Sequence, residues 1–365
     1  MAKLPFIFLV VFFHVHFAES DYPPSIIGFG DSLIDTGNNN FLPTLAKCNY
    51  LPYGIDFPNK ILGFNLTGDP TGRFTNCYNI IDLIATYLNL SSPTPYYSIQ
   101  GVFSTNMCVN FASGSCGILD DTGIETGACS NFVSQINNFQ NAKNMMALNF
   151  KHPDDLDNYL SKCLCVVVIG NNDYLNNYFR DFILYLAYQT YNCTQFAEIL
   201  ADKISQNLQR LYQLGCKKFV IANAASVGCT PNERRETGIP AMQCNNTQNN
   251  CVAIYNSMLK SQVLPYLKSN LPGFDAVHMD IWTPVRNCTL NPASCGFNTS
   301  SVPCCNIFLN GTCIPVQAPC PDRTKNMFWD GFHPVQAFYD LMVKGCFNTS
   351  NSYPCDRPIG SLVYD

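Results

Sequence analysis

Short runs that are apolar at nearly every position alternate along this chain with longer stretches whose apolar residues return at helical spacing. The short runs lie at residues 25–30, 107–112, 164–170, 217–222 and 274–281. Continuous apolarity, rather than an in-out alternation, is the mark of strands buried on both faces. Helical spacing occupies residues 80–90, 132–146, 194–214, 251–267 and 335–346. Strands that alternate with helices predict an α/β fold with an open five-stranded parallel sheet and helices on both faces. Ligands bind such sheets at the carboxyl ends of the strands. No repeat period and no Gly/Ser- or Pro-rich linker divides the pattern, so residues 21–365 are expected to form one domain. Residues 288–320, with cysteines at both ends, Pro292, Pro303, Pro315 and Pro319 between and Pro321 just after, read as a long stapled loop between the fifth strand and the final helix.

Composition narrows the class. Of 365 residues, 47% are hydrophobic and only 13% charged, with a net charge of -5, which excludes disorder and a small stapled scaffold. The basic residues form nothing longer than the pairs Lys217-Lys218 and Arg234-Arg235, so a nucleic-acid backbone has nothing to hold. Residues 1–20 carry Lys3, an apolar run over residues 4–13, and then Ala18-Glu19-Ser20. This reads as a signal peptide, because the run is well short of the ~20 residues that a membrane span needs. The mature chain is then expected to start near Asp21, outside the cytoplasm and not inserted in a membrane. Twenty cysteines, all between Cys48 and Cys355, fit an oxidising compartment and disulfides. No Cys-x-x-Cys occurs, and only His152, His278 and His333 follow the signal segment, so neither a metal nor a cofactor is expected. Asn65, Asn89, Asn192, Asn245, Asn287, Asn298, Asn310 and Asn348 each begin an Asn-x-Ser/Thr glycosylation sequon.

Candidate chemistry gathers where the strands end. The first run continues Gly28-Phe29-Gly30-Asp31-Ser32, which puts a serine just past a strand at a tight turn. A serine attacks an acyl carbon only beside a base that takes its proton. His152 precedes a proline in a loop, and His278 lies inside the last apolar run, where a core role is expected. His333 belongs to Trp329-Asp330-Gly331-Phe332-His333-Pro334, with a carboxylate three residues earlier to orient the ring. Helix capping is the competing role for Asp330 and His333. Two further strand ends, at residues 110–115 and 169–173, offer glycine amides and asparagine carboxamides as oxyanion donors.

These four blocks in this order resemble the plant GDSL esterase/lipase family of the SGNH hydrolases, over residues 26–344. They are Phe29 to Asn39, Asn110 to Gly117, Gly170 to Tyr174, and Trp329 to Pro334. The resemblance implies a flavodoxin-like three-layer α/β/α sandwich. It implies Ser32 as nucleophile, His333 as general base and Asp330 as its orienter, with an oxyanion hole from the Ser32 and Gly114 N–H groups and the Asn172 side chain. The substrate it implies is a small acyl ester. Cys116 stands where the family has a small residue, and a bridge there would bear on the oxyanion loop.

Other motifs carry less. Gly28-x-Gly30 lacks the third glycine of a dinucleotide loop, and Ile34 interrupts the Gly-x-Ser-x-Gly elbow of the larger lipase fold. Tyr174, Tyr178, Phe182, Tyr185 and Tyr188 form a helically spaced aromatic stripe that fits either an acyl pocket or ordinary core. Hydrolysis is the expected reaction. Acyl transfer to another alcohol, or binding of acyl or glycan ligands without turnover, are the competing readings.

Overall fold

The computed structural model describes residues 25–61, 64–99, 101, 103–104, 107–180 and 187–363. The expected signal segment, Phe182 and Tyr185 lie outside the described residues, as do the side chains of Asn65 and Tyr188.

The first apolar run forms β1 (Ile26–Gly30), and an antiparallel hairpin of β2 (Pro58–Ile61) and β3 (Phe64–Thr67) stands apart from the main sheet. The remaining strands are β4 (Thr94–Pro95), β5 (Val109–Asn110), β6 (Leu164–Val168), β7 (Lys218–Ala222) and β8 (Asp275–Met279). They join β1 in one parallel sheet of order β4-β5-β1-β6-β7-β8. The sheet thus has six strands rather than the five expected. The addition, β4, is two residues long and ends in a proline, tolerable because it lies at the edge. A strand that short leaves no apolar run to read.

Nine helices of six residues or more lie among the described residues. They are α1 (Ile80–Tyr87), α2 (Phe132–Met146), α3 (Pro153–Lys162), α4 (Cys193–Gln213), α5 (Pro231–Glu236), α6 (Asn246–Met258), α7 (Leu264–Asn270), α8 (Trp282–Leu290) and α9 (Gln336–Cys346). Asparagines set several starts. Asn79 and Asn192 each accept a backbone N–H three residues on with the side chain and donate their own backbone N–H to the side chains of Asp82 and Gln195. The stretch expected as one helix from 251 begins earlier, capped by Asn245, and passes through a π-helical turn at Leu259–Val263 into α7, whose first turn holds Pro265. The short helices α3, α5 and α8 were not anticipated. α3 buries only Leu156 and Leu160, too narrow a face to show as a period.

Alternate strand residues feed two cores, one on each face of the sheet. Leu164, Val166 and Val168 pack with Ile80 and Ile84 of α1 and Phe338 and Met342 of α9. Cys165, Val167 and Ile169 pack with Phe132, Phe139, Leu200 and Tyr255 from α2, α4 and α6. The result is a three-layer α/β/α sandwich. Tyr174 and Tyr178 belong to the second core, stacked around Phe196, so the described part of the aromatic stripe is core rather than pocket. His278 is likewise buried in β8, as expected.

Eight disulfides cross-link the fold, most of them through buried sulfurs: Cys116–Cys129, Cys165–Cys216, Cys193–Cys251, Cys229–Cys244, Cys288–Cys295, Cys304–Cys320, Cys305–Cys313 and Cys346–Cys355. Cys48, Cys77, Cys108 and Cys163 are buried thiols. The cysteines inside the sequons of Asn192 and Asn287 are both bridged. Three bridges fall within residues 288–320, which form the expected stapled loop except that Cys288 still belongs to α8.

Strand order reverses at β1: the chain lays β4 and β5 on one side, then β6, β7 and β8 on the other. The crevice beyond the carboxyl ends of β1 and β6 is therefore the topological switch point. Arg73 supports it from below. Its guanidinium makes a two-pronged bond to Asp82 at 2.7 and 2.8 Å and also donates to the Thr36 carbonyl. Both charges are buried, so removing one strands the other. Arg73→Ala is expected to lower stability by about 3–5 kcal/mol in urea denaturation. A double Arg73→Met, Asp82→Leu variant should recover part of that loss; a single-variant cost under about 1 kcal/mol would refute the pairing.

Candidate active site

Ser32 lies two residues beyond β1, and His333 lies in the turn before α9, 301 positions later. Their side chains meet with Nε2 of His333 2.8 Å from Oγ of Ser32. On the far side of the ring, Nδ1 is 2.9 and 3.0 Å from the two oxygens of Asp330. A carboxylate only accepts, so Nδ1 carries the hydrogen, and Nε2 of the neutral ring is left to accept from the serine hydroxyl. Asp330 is fully buried and also receives the N–H groups of Phe332 and His333 at 2.8 and 2.7 Å and the Tyr53 hydroxyl at 2.7 Å. The competing role of Asp330 as a helix cap is not what its bonds serve, since α9 has no side-chain cap.

Three more buried aspartates shape the loops around this trio. Asp31 accepts from Leu33 N–H at 3.0 Å and from the Asn171 carboxamide at 2.9 Å. Asn171 in turn accepts the Ala225 N–H beyond β7, so three strand ends are tied together. Asp35 gathers the N–H groups of Gly37 and Asn38, both at 2.7 Å. Asp173 takes Ile118 N–H, Leu119 N–H and the Thr122 hydroxyl, which pins the loop after β5 against the turn after β6.

That turn begins at Gly170, whose φ of +121° a side chain would oppose, and it delivers Asn172 to the site. The Asn172 amide donates one hydrogen to the Cys116 carbonyl at 2.9 Å, and its oxygen accepts from Asn176 at 3.1 Å, so the group is fixed with one N–H to spare. Cys116 is bridged to Cys129, and the bridge anchors the carbonyl that holds Asn172.

Gly114 departs from expectation. Its N–H donates to Asp35 at 3.1 Å, away from the site. The next residue, Ser115, lines the cavity above Ser32 and is held at a φ of +71°, and no acceptor among the described residues takes its N–H. The sequence places both amides in the same block; which one faces the site depends on a local backbone twist that spacing does not encode. Gly114 has a different task. A Cβ there would come within 2.5 Å of the Phe74 ring, and Phe74 packs 5.0 Å from the His333 ring.

Ser32 and His333 open into a cavity of about 600 Å³, within the usual ~300–1,000 Å³ of small-molecule sites. Its rim carries Leu45, Thr126, Arg180, Glu236 and Asn310. Its deep end runs between α8 and α9 and is lined by the buried Ile281, Val285, Phe338, Tyr339 and Met342. Of the segment that carries the aromatic stripe, Leu175, Asn176 and Arg180 reach the cavity; Tyr174 and Tyr178 do not. No group of three or more His, Cys, Asp or Glu side chains among the described residues is arranged to hold a metal ion, and no described helix is long and apolar enough to cross a membrane.

A parallel α/β/α sandwich with this constellation at its switch point defines a hydrolase of the SGNH superfamily. The chain belongs to the GDSL-like lipase/acylhydrolase family, whose model matches residues 26–345, and is an ester hydrolase. It is 38% identical over 336 residues to GDSL esterase/lipase 7 of Arabidopsis thaliana, covering 90% of this chain and 89% of that one. It is also 38% identical over 344 residues to the GDSL esterase/lipase At1g33811 of the same plant, covering 91% and 89%.

The buried carboxylates give stability a pH dependence. Burial pushes Asp31, Asp35 and Asp173 from an ordinary 3.8 up to about 6 each. Each holds its proton more tightly folded than unfolded, so its contribution is full below 3.8 and is lost as pH rises through about 6. Burial lowers His278, which acts oppositely by weakening the fold as pH falls below about 6.5. With three groups against one, the melting temperature is expected to rise between pH 7 and pH 5. A flat or falling melting curve series across that interval would contradict this balance.

Proposed function

We propose that this protein is a secreted serine esterase that hydrolyses esters of an apolar acyl chain through a covalent acyl-enzyme. The observation that carries the reading is the unbroken chain of hydrogen bonds from Ser32 through His333 to Asp330, opening into a cavity with an apolar end. Ser32 Oγ attacks the ester carbonyl as Nε2 of His333 takes its proton. The oxyanion is held by the N–H groups of Ser32 and Ser115 and by the second amide hydrogen of Asn172. Ser115 takes the place first assigned to Gly114, whose N–H is committed to Asp35. Collapse of the tetrahedral species breaks the ester C–O bond, and the imidazolium returns its proton to the leaving alcohol. Water then attacks the acyl-enzyme, with His333 as base, and releases the acid and the free serine. Asp330 stays ionised and balances the imidazolium charge.

The deep arm at Ile281, Val285, Phe338, Tyr339 and Met342 suits the acyl chain, and the rim at Arg180, Glu236 and Asn310 suits the alcohol half. Export is supported by the apolar stretch after Lys3, the eight disulfides and the exposed sequons at Asn89, Asn192, Asn287, Asn298, Asn310 and Asn348. Asn245 is half-buried and caps α6, which makes it a poorer acceptor. Residues 21–365 then make up one hydrolase domain.

Turnover of a p-nitrophenyl ester series of increasing acyl length tests the reading. Ser32→Ala is expected to lose roughly 10⁴-fold or more in kcat while keeping its melting temperature. Near wild-type turnover in that variant would refute the assignment. Asn172→Ala should cost about 10²–10³ in kcat, whereas Ser115→Gly, which keeps the N–H and accepts the positive φ, should stay within a few-fold of wild type. Met342→Trp is expected to shift the preferred acyl chain to shorter esters; an unchanged length profile would place the acyl group elsewhere.

A further inference from the structure

Tyr53 is fully buried, lies 277 positions before Asp330 in the chain, and has no part in the mechanism above. Its hydroxyl stands between two fixed groups. The N–H of Cys313 donates to it at 3.1 Å, and it reaches Oδ2 of Asp330 at 2.7 Å. A phenol has one hydrogen. The amide can only donate and the carboxylate can only accept, so the phenolic hydrogen points to Asp330 and cannot rotate away without stranding both neighbours. Burial holds the Tyr53 phenol well above its ordinary value, so it remains a donor at every working pH.

Cys313 itself is gripped from several sides. Its carbonyl accepts from the Tyr50 hydroxyl at 3.0 Å, and its sulfur is bridged to Cys305. The Cys305 N–H donates at 3.0 Å to the carbonyl of Trp329, the residue before Asp330. The small disulfide-closed loop thus meets the stretch of chain that bears Asp330 through two backbone bonds, the second from the Gly331 N–H to the Gly311 carbonyl at 2.8 Å, and once more through Tyr53.

Resting on the serine-esterase reading, we propose that Tyr53 is a positioning residue that aims the Asp330 carboxylate at His333, and that the loop closed by Cys305–Cys313 holds Tyr53 in place. Oδ2 of Asp330 is shared by Tyr53 and Nδ1 of His333, while Oδ1 is taken by the Phe332 and His333 amides. The carboxylate therefore has no rotational freedom, and its negative charge is divided between the phenol and the imidazole. Cys48, Tyr50 and Asp330 are the titratable groups facing Tyr53, Tyr339 faces Asp330, and Asp31 faces His333. Cys48, Tyr50 and Tyr339 are held protonated by burial, which leaves Asp31, itself pushed up to about 6, as the other group in the neighbourhood whose charge changes.

Tyr53→Phe keeps the edge-on packing of the ring against Tyr50, Phe74 and Trp329 and removes only the hydroxyl. With that donor gone, more of the Asp330 charge falls on the imidazolium, which becomes harder to deprotonate. The lower limb of the kcat/KM–pH profile, followed with a p-nitrophenyl ester, is expected to move up by about half a pH unit. At the plateau kcat should fall roughly tenfold, with KM held within about twofold. A ring that merely fills space would leave the limb where it is. Tyr50→Phe, which loosens Cys313 from its other side, is expected to move the limb the same way by less. A folded Tyr53→Phe protein with an unmoved limb and kcat within twofold of wild type overturns the proposal. Should Tyr53→Phe fail to fold, an unmoved limb in Tyr50→Phe overturns it instead. Ser32→Ala is measured alongside. Retained turnover there brings down the serine-esterase reading itself, whereas loss there with an unmoved limb in Tyr53→Phe brings down only the role of Tyr53.

Discussion

A carboxylate taken out of water must have its lone pairs filled by protein donors, and this requirement organises the catalytic end of the sheet. Asp31, Asp35, Asp173 and Asp330 are each fully buried, and between them they draw backbone N–H groups from the loops past β1 and β5 and from the turn before α9. The loops past β1, β5 and β6 and the turn before α9 have few regular bonds of their own. They fold around these charges instead. Burying four such groups within one small region opposes folding, and desolvation accordingly raises the pKa of three of them. What the arrangement secures is rigidity where hydroxyl, imidazole and amide have to meet within a few tenths of an ångström.

The architecture was legible in the sequence because its signal is local. A run such as Leu164–Val168 is apolar on both faces, short and rich in valine, which together mark a strand buried between helices. The edge strand β4 escaped because two residues carry no pattern, and α3 because it buries too few side chains. Within the site, Ser32, His333, Asp330 and Asn172 could be named since each stands in a short block of unusual composition. Gly114 and Ser115 could not be told apart in advance. Both lie in one block, and only the structure shows that the Gly114 N–H goes to Asp35 while Ser115, with its positive φ, lines the cavity. Tyr53 left no trace at all, since nothing in its own neighbourhood of sequence refers to a carboxylate 277 residues away.

The disulfides divide by what they hold. Cys165–Cys216 and Cys346–Cys355 staple elements of the sandwich to each other, and such bridges act mainly by restricting the unfolded chain. Cys116–Cys129 and Cys305–Cys313 lie next to the site and fix single backbone groups, the Cys116 carbonyl under Asn172 and the Cys313 amide against Tyr53. The second kind contributes to where atoms sit as much as to whether the chain stays folded. Cys116 thus serves twice, its sulfur in a bridge and its carbonyl as the acceptor that holds Asn172.

Ser32 and His333 lie 301 residues apart, near opposite ends of the chain. The contact that joins them is among the most non-local in the molecule, and contacts of that kind form late because so much chain has to be ordered first. A ribosome releases the serine long before it releases the histidine, and domains settle from the amino end during synthesis. An incomplete or interrupted chain therefore carries a hydroxyl with no base beside it. On the serine-esterase reading, catalysis waits until the turn before α9 brings His333 to Ser32, and a fragment that ends short of that turn is inert.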